Sequence, residues 1–145
     1  MKKYLTLILI IFVIILTGCK LSMPYNAKII NDGYEFDKTF LDTNKTKTDN
    51  ESLPEERVYY IKDQNALNNA FVSFPEIDFE KEMIIIYGFT TSNDAIYELE
   101  KVEYKNKQLN IEYKVKKILE IKESSTEWIV IKMNTLTINS INVNK

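Results

Sequence analysis

Met83-Ile84-Ile85-Ile86-Tyr87 is a run of five apolar residues with no polar interruption. A strand with one wet face alternates apolar and polar residues, so an apolar residue at every position requires cover on both faces. The run predicts a central strand, and the rest of the fold is read outward from it. Downstream, Thr90-Thr91-Ser92-Asn93-Asp94 reads as a polar loop. Residues 95–104 and 108–118 then flank Lys105-Asn106-Lys107, which reads as a hairpin turn. In the second arm Leu109, Ile111, Tyr113 and Val115 alternate with polar residues, whereas in the first the apolar parity slips between Leu99 and Val102, the mark of a bulge. Residues 127–133 and 136–143 predict a last pair of strands joined near Asn134-Thr135.

Upstream, Pro75-Glu76-Ile77-Asp78-Phe79 is a short extended connection. Residues 64–72 predict a short helix capped by Asp63, with Leu67, Ala70 and Phe71 on one face. Residues 57–61 read as another strand. The expected class is mainly β (α+β): a small antiparallel sheet or sandwich of about six or seven strands with one short helix. Residues 42–52 contain no apolar side chain and cannot offset their ordering entropy by burial. Residues 19–55 are therefore expected to be a polar tether, with a short strand from Ala27-Lys28-Ile29-Ile30 or Tyr34-Glu35-Phe36, and residues 56–145 the globular domain.

The 145 residues suit one domain. There is no His and one Cys, so an internal disulfide is impossible and the commonest general base and metal ligand is missing. With 3 Gly, widely spread, no glycine-rich phosphate loop is available. The net charge of -2 offers no basic field for nucleic acid. No cofactor or metal is expected, and no nucleic-acid partner.

Met1-Lys2-Lys3 is a short positive start, and residues 4–16 are apolar except Thr6. This is the pattern of a secretory signal. The apolar run is shorter than the roughly 20 residues that a membrane-crossing helix needs. It ends in Leu16-Thr17-Gly18-Cys19, which resembles the lipobox of bacterial lipoproteins. The resemblance implies cleavage between Gly18 and Cys19, with residues 1–18 removed and diacylglycerol joined to the Cys19 thiol. A thiolate is a suitable nucleophile for that alkylation, and two or more acyl chains anchor stably where one binds marginally. The implied place is the bacterial cell envelope, outside the cytoplasm, with the membrane as partner through lipidated Cys19.

Beyond the anchor, chemistry-bearing groups are few. Glu76, Asp78, Glu80 and Glu82 cluster before the central strand. They read first as a solvated run alternating with Ile77, Phe79 and Met83, and alternatively as paired carboxylates of a glycan- or peptide-binding or hydrolytic site. Thr90, Thr91, Asn93 and Asp94 carry hydroxyls, an amide and a carboxylate at the end of the central strand, where binding loops often lie. The bland reading there is an ordinary turn. Trp128 is either a core residue or an exposed anchor for a partner. No catalytic residue is expected.

Residues 75–86, Pro75-Glu76-Ile77-Asp78-Phe79 leading into Met83-Ile84-Ile85-Ile86, resemble the opening of the C-terminal domain of the PrcB family. Those are bacterial lipoproteins associated with the stability of a surface protease complex. The likeness spans residues 64–143. It departs where the family has a Gly-rich turn and this chain has Thr91-Ser92-Asn93-Asp94. The resemblance implies a non-catalytic module that binds another envelope protein. An inhibitor or immunity-type lipoprotein fits the same sequence features.

Overall fold

A computed structural model describes residues 23–145; Gly18, Cys19 and the rest of the N-terminal segment lie outside them. The fold is mainly β and its organising element is one very long hairpin. A short 3-10 turn, Pro24–Asn26, leads into β1 (Lys28–Ile30), β2 (Glu35–Phe36) and helix α1 (Lys38–Thr43). There follow β3 (Glu56–Ile61), helix α2 (Gln64–Ala70) and β4 (Phe71–Ser73). The hairpin itself is β5 (Glu82–Lys105) and β6 (Gln108–Asn134), and β7 (Ser140–Asn144) closes the chain. The main sheet has five strands in the order β1-β6-β5-β3, with β7 also on β6, while β2 and β4 form a separate antiparallel pair.

The central-strand expectation holds. Met83, Ile84, Ile85 and Ile86 are each 0% exposed. β5 lies between β3 and β6, with Ile85 opposite Tyr60 on one side and Ile131 on the other. Met83, Ile85, Tyr87 and Phe89 face one apolar cluster, shared with Ile129, Ile131 and Met133. Ile84 and Ile86 face another, built with Ile61, Leu67, Ala70, Phe71 and Val130. Helix α2 covers this second face. Its start is set by Asp63, whose carboxylate accepts the Ala66 backbone N–H at 2.8 Å.

The first face is covered by the hairpin's own far half. At about 3.4 Å per residue an arm of 24 residues, the length of β5, would run about 80 Å if straight. Instead Asn134 pairs with Glu82 at the hairpin's base, while Asn139 donates its backbone N–H to the Lys107 carbonyl at its tip, 2.7 Å away. Five residues span at most about 18 Å, so base and tip are brought together and the hairpin curls back on itself. Its register slips at Thr91/Asn93, Asp94/Ala95, Ile96/Tyr97 and Leu99/Lys101. Bulges add twist and bend a strand, and these four make the curl. The curl seats Tyr97 edge-on to Phe89, with ring centroids 5.6 Å apart, and Tyr113 against Tyr87 at 5.7 Å.

The expected turn at Lys105-Asn106-Lys107 is present. Asn106 and Lys107 take φ of 53° and 63°, the two left-handed positions of a type I′ turn. The bulge between Leu99 and Val102 is also found.

Three expectations are corrected. Residues 90–94 are not a loop: β5 runs through them, with Thr90 opposite Thr126 and Thr91 opposite Ser125. The last two strands are not a hairpin. Residues 127–133 belong to β6, and β7 lies parallel to the other end of that strand, Leu109 opposite Ile141. The crossover 135–139 is held by the Tyr60 hydroxyl on the Leu136 carbonyl, 2.9 Å, and by the Tyr104 hydroxyl on that of Thr137, 2.6 Å.

The third correction concerns the tether: the described part of residues 19–55 is packed onto the domain. β1 pairs with β6, Ile29 opposite Ile131. Helix α1 presents Phe40 to Tyr59 and Trp128. Its N-cap, missed in the sequence, is Asp37, which accepts from the backbone N–H groups of Thr39 and Phe40. Thr46, inside the stretch without apolar residues, is 0% exposed.

Gly88 sits under the Trp128 ring. A Cβ there would meet the indole at 2.5 Å. Gly88→Ala must push the ring out of its contacts, and the expected cost is about 1–3 kcal/mol. Urea unfolding followed by Trp128 fluorescence measures it. An unchanged midpoint and emission maximum would show that the ring has room to move.

Candidate functional site

The groove that gathers the most varied side chains lies at the curl of the hairpin. It has a volume of about 460 Å³. The buried aromatics Tyr87, Phe89 and Tyr113 reach it with their edges, Thr90 and Thr91 border it, and Lys47, Asp49, Glu55, Glu56 and Lys145 supply charge of both signs. β5 contributes Tyr87, Phe89, Thr90 and Thr91, and β6 contributes Tyr113. The segment that follows α1 supplies the charged side wall.

That wall is fastened to the hairpin by three threonines. Thr46 donates its backbone N–H to the Thr126 hydroxyl at 3.0 Å. The Thr46 hydroxyl lies 3.0 Å from the hydroxyls of both Thr90 and Thr126. The Thr90 hydroxyl also donates to the Lys47 carbonyl. A buried hydroxyl is tolerated when it is hydrogen-bonded, and here three polar side chains satisfy one another. Thr90 thus serves mainly as a structural fastening at the border of the groove.

The groove's tyrosines are held protonated. Burial pushes the Tyr87 phenol well above its ordinary value, helped by its neighbours Tyr113 and Glu56. Burial also raises Tyr113. Tyr97, just beneath, is pushed up to about 12, first by burial and then by the negative charge of Glu127. A phenol raised in the folded state stays protonated while the unfolded chain ionises from its ordinary value of 10.0. The stability these tyrosines contribute is therefore complete below pH 10 and drains away as pH rises through about 12. An alkaline titration should show tyrosinate absorbance appearing together with loss of the β signal. Smooth titration of all nine tyrosines near their ordinary value, with the fold intact, would contradict it.

The other expected site residues do not converge on this groove. Thr91 lines it, and its hydroxyl accepts the Asn93 backbone N–H at 3.2 Å. Asn93 and Asp94 pair with Ile121 and Glu120 further along the strand. Trp128 is no exposed anchor. It is half-buried among Phe36, Phe40 and Tyr59, with ring centroids 5.8, 5.8 and 6.4 Å away.

The four acids before the central strand form no facing pair. Glu76, Asp78 and Glu80 are exposed. The Lys81 ammonium, 2.6 Å from Asp78, holds that carboxyl below its ordinary range, opposite to the shift a general acid needs. Glu82 is paired with Lys132 at 2.7 Å. Among the described residues no three Cys, Asp or Glu side chains come together as a metal site. No helix among them is long and apolar enough to cross a membrane.

What the sequence reading missed is an apolar surface on the hairpin bend. Ile118, Leu119 and Ile121 are 52%, 52% and 78% exposed, and Ile96 on the partner strand is 36% exposed. All four were visible as apolar residues, but their exposure depends on bulges that sequence parity does not locate. Comparison with protein families, with characterised proteins and with solved structures finds no match to this chain.

Proposed function

We propose that the protein is a lipid-anchored, non-enzymatic lipoprotein of the bacterial envelope whose folded domain binds and stabilises another envelope protein. The lipobox-like Leu16-Thr17-Gly18-Cys19 supports the anchor. The resemblance of residues 75–86 to the PrcB family supports the binding role. The observation that carries the reading is the groove at the curl, where a charged rim of Lys47, Asp49, Glu55, Glu56 and Lys145 surrounds the edges of the buried aromatics Tyr87, Phe89 and Tyr113. Aromatic floors with a polar, charged rim are the usual anatomy of a protein-recognition surface. A partner segment with an exposed apolar side chain between charged neighbours suits it.

The test is recovery of partners from solubilised envelope. The wild-type chain should enrich one envelope protein, and Asp49→Lys/Glu55→Lys, which reverses the acidic rim without touching the core, should lose most of it. Equal recovery by wild type and variant would sink the groove as the binding site. No enrichment over a Cys19→Ala control would sink the binding role.

A further inference from the structure

We infer that the apolar bend of the hairpin rests in the headgroup layer of the very membrane that holds the lipid on Cys19. The inference rests on the anchored reading above. Ile96 lies opposite Lys117, Ala95 opposite Ile118 and Asn93 opposite Ile121, and because successive rungs project to opposite faces, Ile118 and Ile121 stand on one face of the β5–β6 ribbon and Ile96 on the other. A ribbon bend that exposes branched apolar side chains on both of its faces marks a surface with a partner, one into which it enters edge-on.

The geometry of the chain's N-terminal end names that partner. Met23 lines a groove together with Ile96, Leu99 and Lys116. Ile96 continues into a second groove with Leu119, along the outer side of β1. The first described residue is thus seated beside the apolar bend. Four residue steps separate it from Cys19, a reach of at most about 14 Å. The headgroup layer on each side of a bilayer is itself several ångströms thick. A domain held on so short a leash cannot stand clear of the surface, and the face it turns to the lipid is the one around Met23.

The charges at this face fit a surface role without driving it. Lys116 pairs with Glu98 at 3.7 Å and Lys122 with Glu127 at 3.1 Å. Lys117 adds a further cation, while Asp94, Glu120 and Glu123 offset it. Attraction to anionic lipid is therefore modest, and shallow insertion of the apolar side chains is the main contribution. The lysine stems can lie along the interface with their ammonium groups in water. The grooves at this face share no lining residue with the one containing Tyr87 and Tyr113, which stays available for a protein.

The test uses the acylated full chain with one new thiol, Ile121→Cys, since an acylated Cys19 cannot react. An environment-sensitive fluorophore at position 121 is compared with one at Asn65→Cys, on exposed α2. Both proteins are reconstituted into vesicles of phosphatidylglycerol and phosphatidylethanolamine. The expected result is at least threefold less quenching by iodide at 121 than at 65, and quenching at 121 by a nitroxide lipid. Equal iodide quenching at both sites overturns the inference. So does shielding of 121 that appears in whole envelopes and not in protein-free vesicles, which would assign the bend to a protein. The mass of the N-terminal peptide reads acylation independently. Acylation with an exposed 121 leaves the anchor standing and removes the docking face, and absence of acylation removes both.

Discussion

Ile85→Ala lowers the unfolding free energy by about 3–4 kcal/mol. Ile85 is 0% exposed and lies between Tyr60 and Ile131 in the sheet, under the curled half of the hairpin. Truncation removes three carbons from a site walled on every side by other strands. The lost apolar contact and the remaining cavity both count, because a rigid sheet collapses little into the gap. Domains of this size hold roughly 5–15 kcal/mol in total, so one such change takes a large share. Ile121→Ala, at a position 78% exposed, should move stability by no more than about 0.5 kcal/mol. Chemical denaturation of both variants, with unchanged slopes, is the measurement. A loss below about 1 kcal/mol for Ile85→Ala would mean that the far half of the hairpin does not cover this face.

Cys19→Ala should abolish the mature, acylated form of the protein. Without the thiol no diacylglycerol can be joined, so the chain either keeps its N-terminal segment or leaves the membrane unanchored. The effect is large because each buried methylene of an acyl chain contributes about 0.8 kcal/mol and two chains carry dozens of them. The apolar bend offers four side chains at shallow depth. It orients a tethered domain but cannot replace the tether. Fractionation combined with the mass of the N-terminal peptide decides the matter. Processing and membrane retention that match the wild type would end the lipoprotein reading.

The elements legible in the sequence are those whose signal is local. Met83 to Tyr87 reads as a doubly covered strand wherever its neighbours come from. Asp63 caps its own helix three residues on. Asn106 tolerates the left-handed backbone that its turn requires. What escaped reading depends on distant partners. Thr90 to Asp94 looks like a loop because it is polar, yet threonine is a good strand former, and the partners that keep it paired lie some thirty residues on. Alternation in residues 136–143 shows that a strand is present but not which strand it joins, so a parallel pairing could not be foreseen. Thr46 is polar in a polar stretch and becomes buried only because Thr90 and Thr126 supply hydroxyls for it. The candidate groove was half legible: Thr90 and Thr91 were marked, whereas Tyr87 and Tyr113 read only as strand residues, and they are core in the structure, with the groove reaching their edges.

The pairing of β1 with the far end of β6 also sets an order of events when the chain is made. Lys28 waits for Lys132, and Thr46 waits for Thr126 eighty residues later. Neither β1 nor the Thr46 fastening can reach its final place until nearly the whole chain has been synthesised, whereas β2 needs only β4. The long hairpin, whose arms meet at a two-residue turn, can zip from its tip; the N-terminal strand must then find its edge across the longest separation in the fold. Such distant closure is slow. A chain whose N-terminal edge stays open until β6 is complete keeps that edge threadable through a narrow pore for almost the whole of its synthesis.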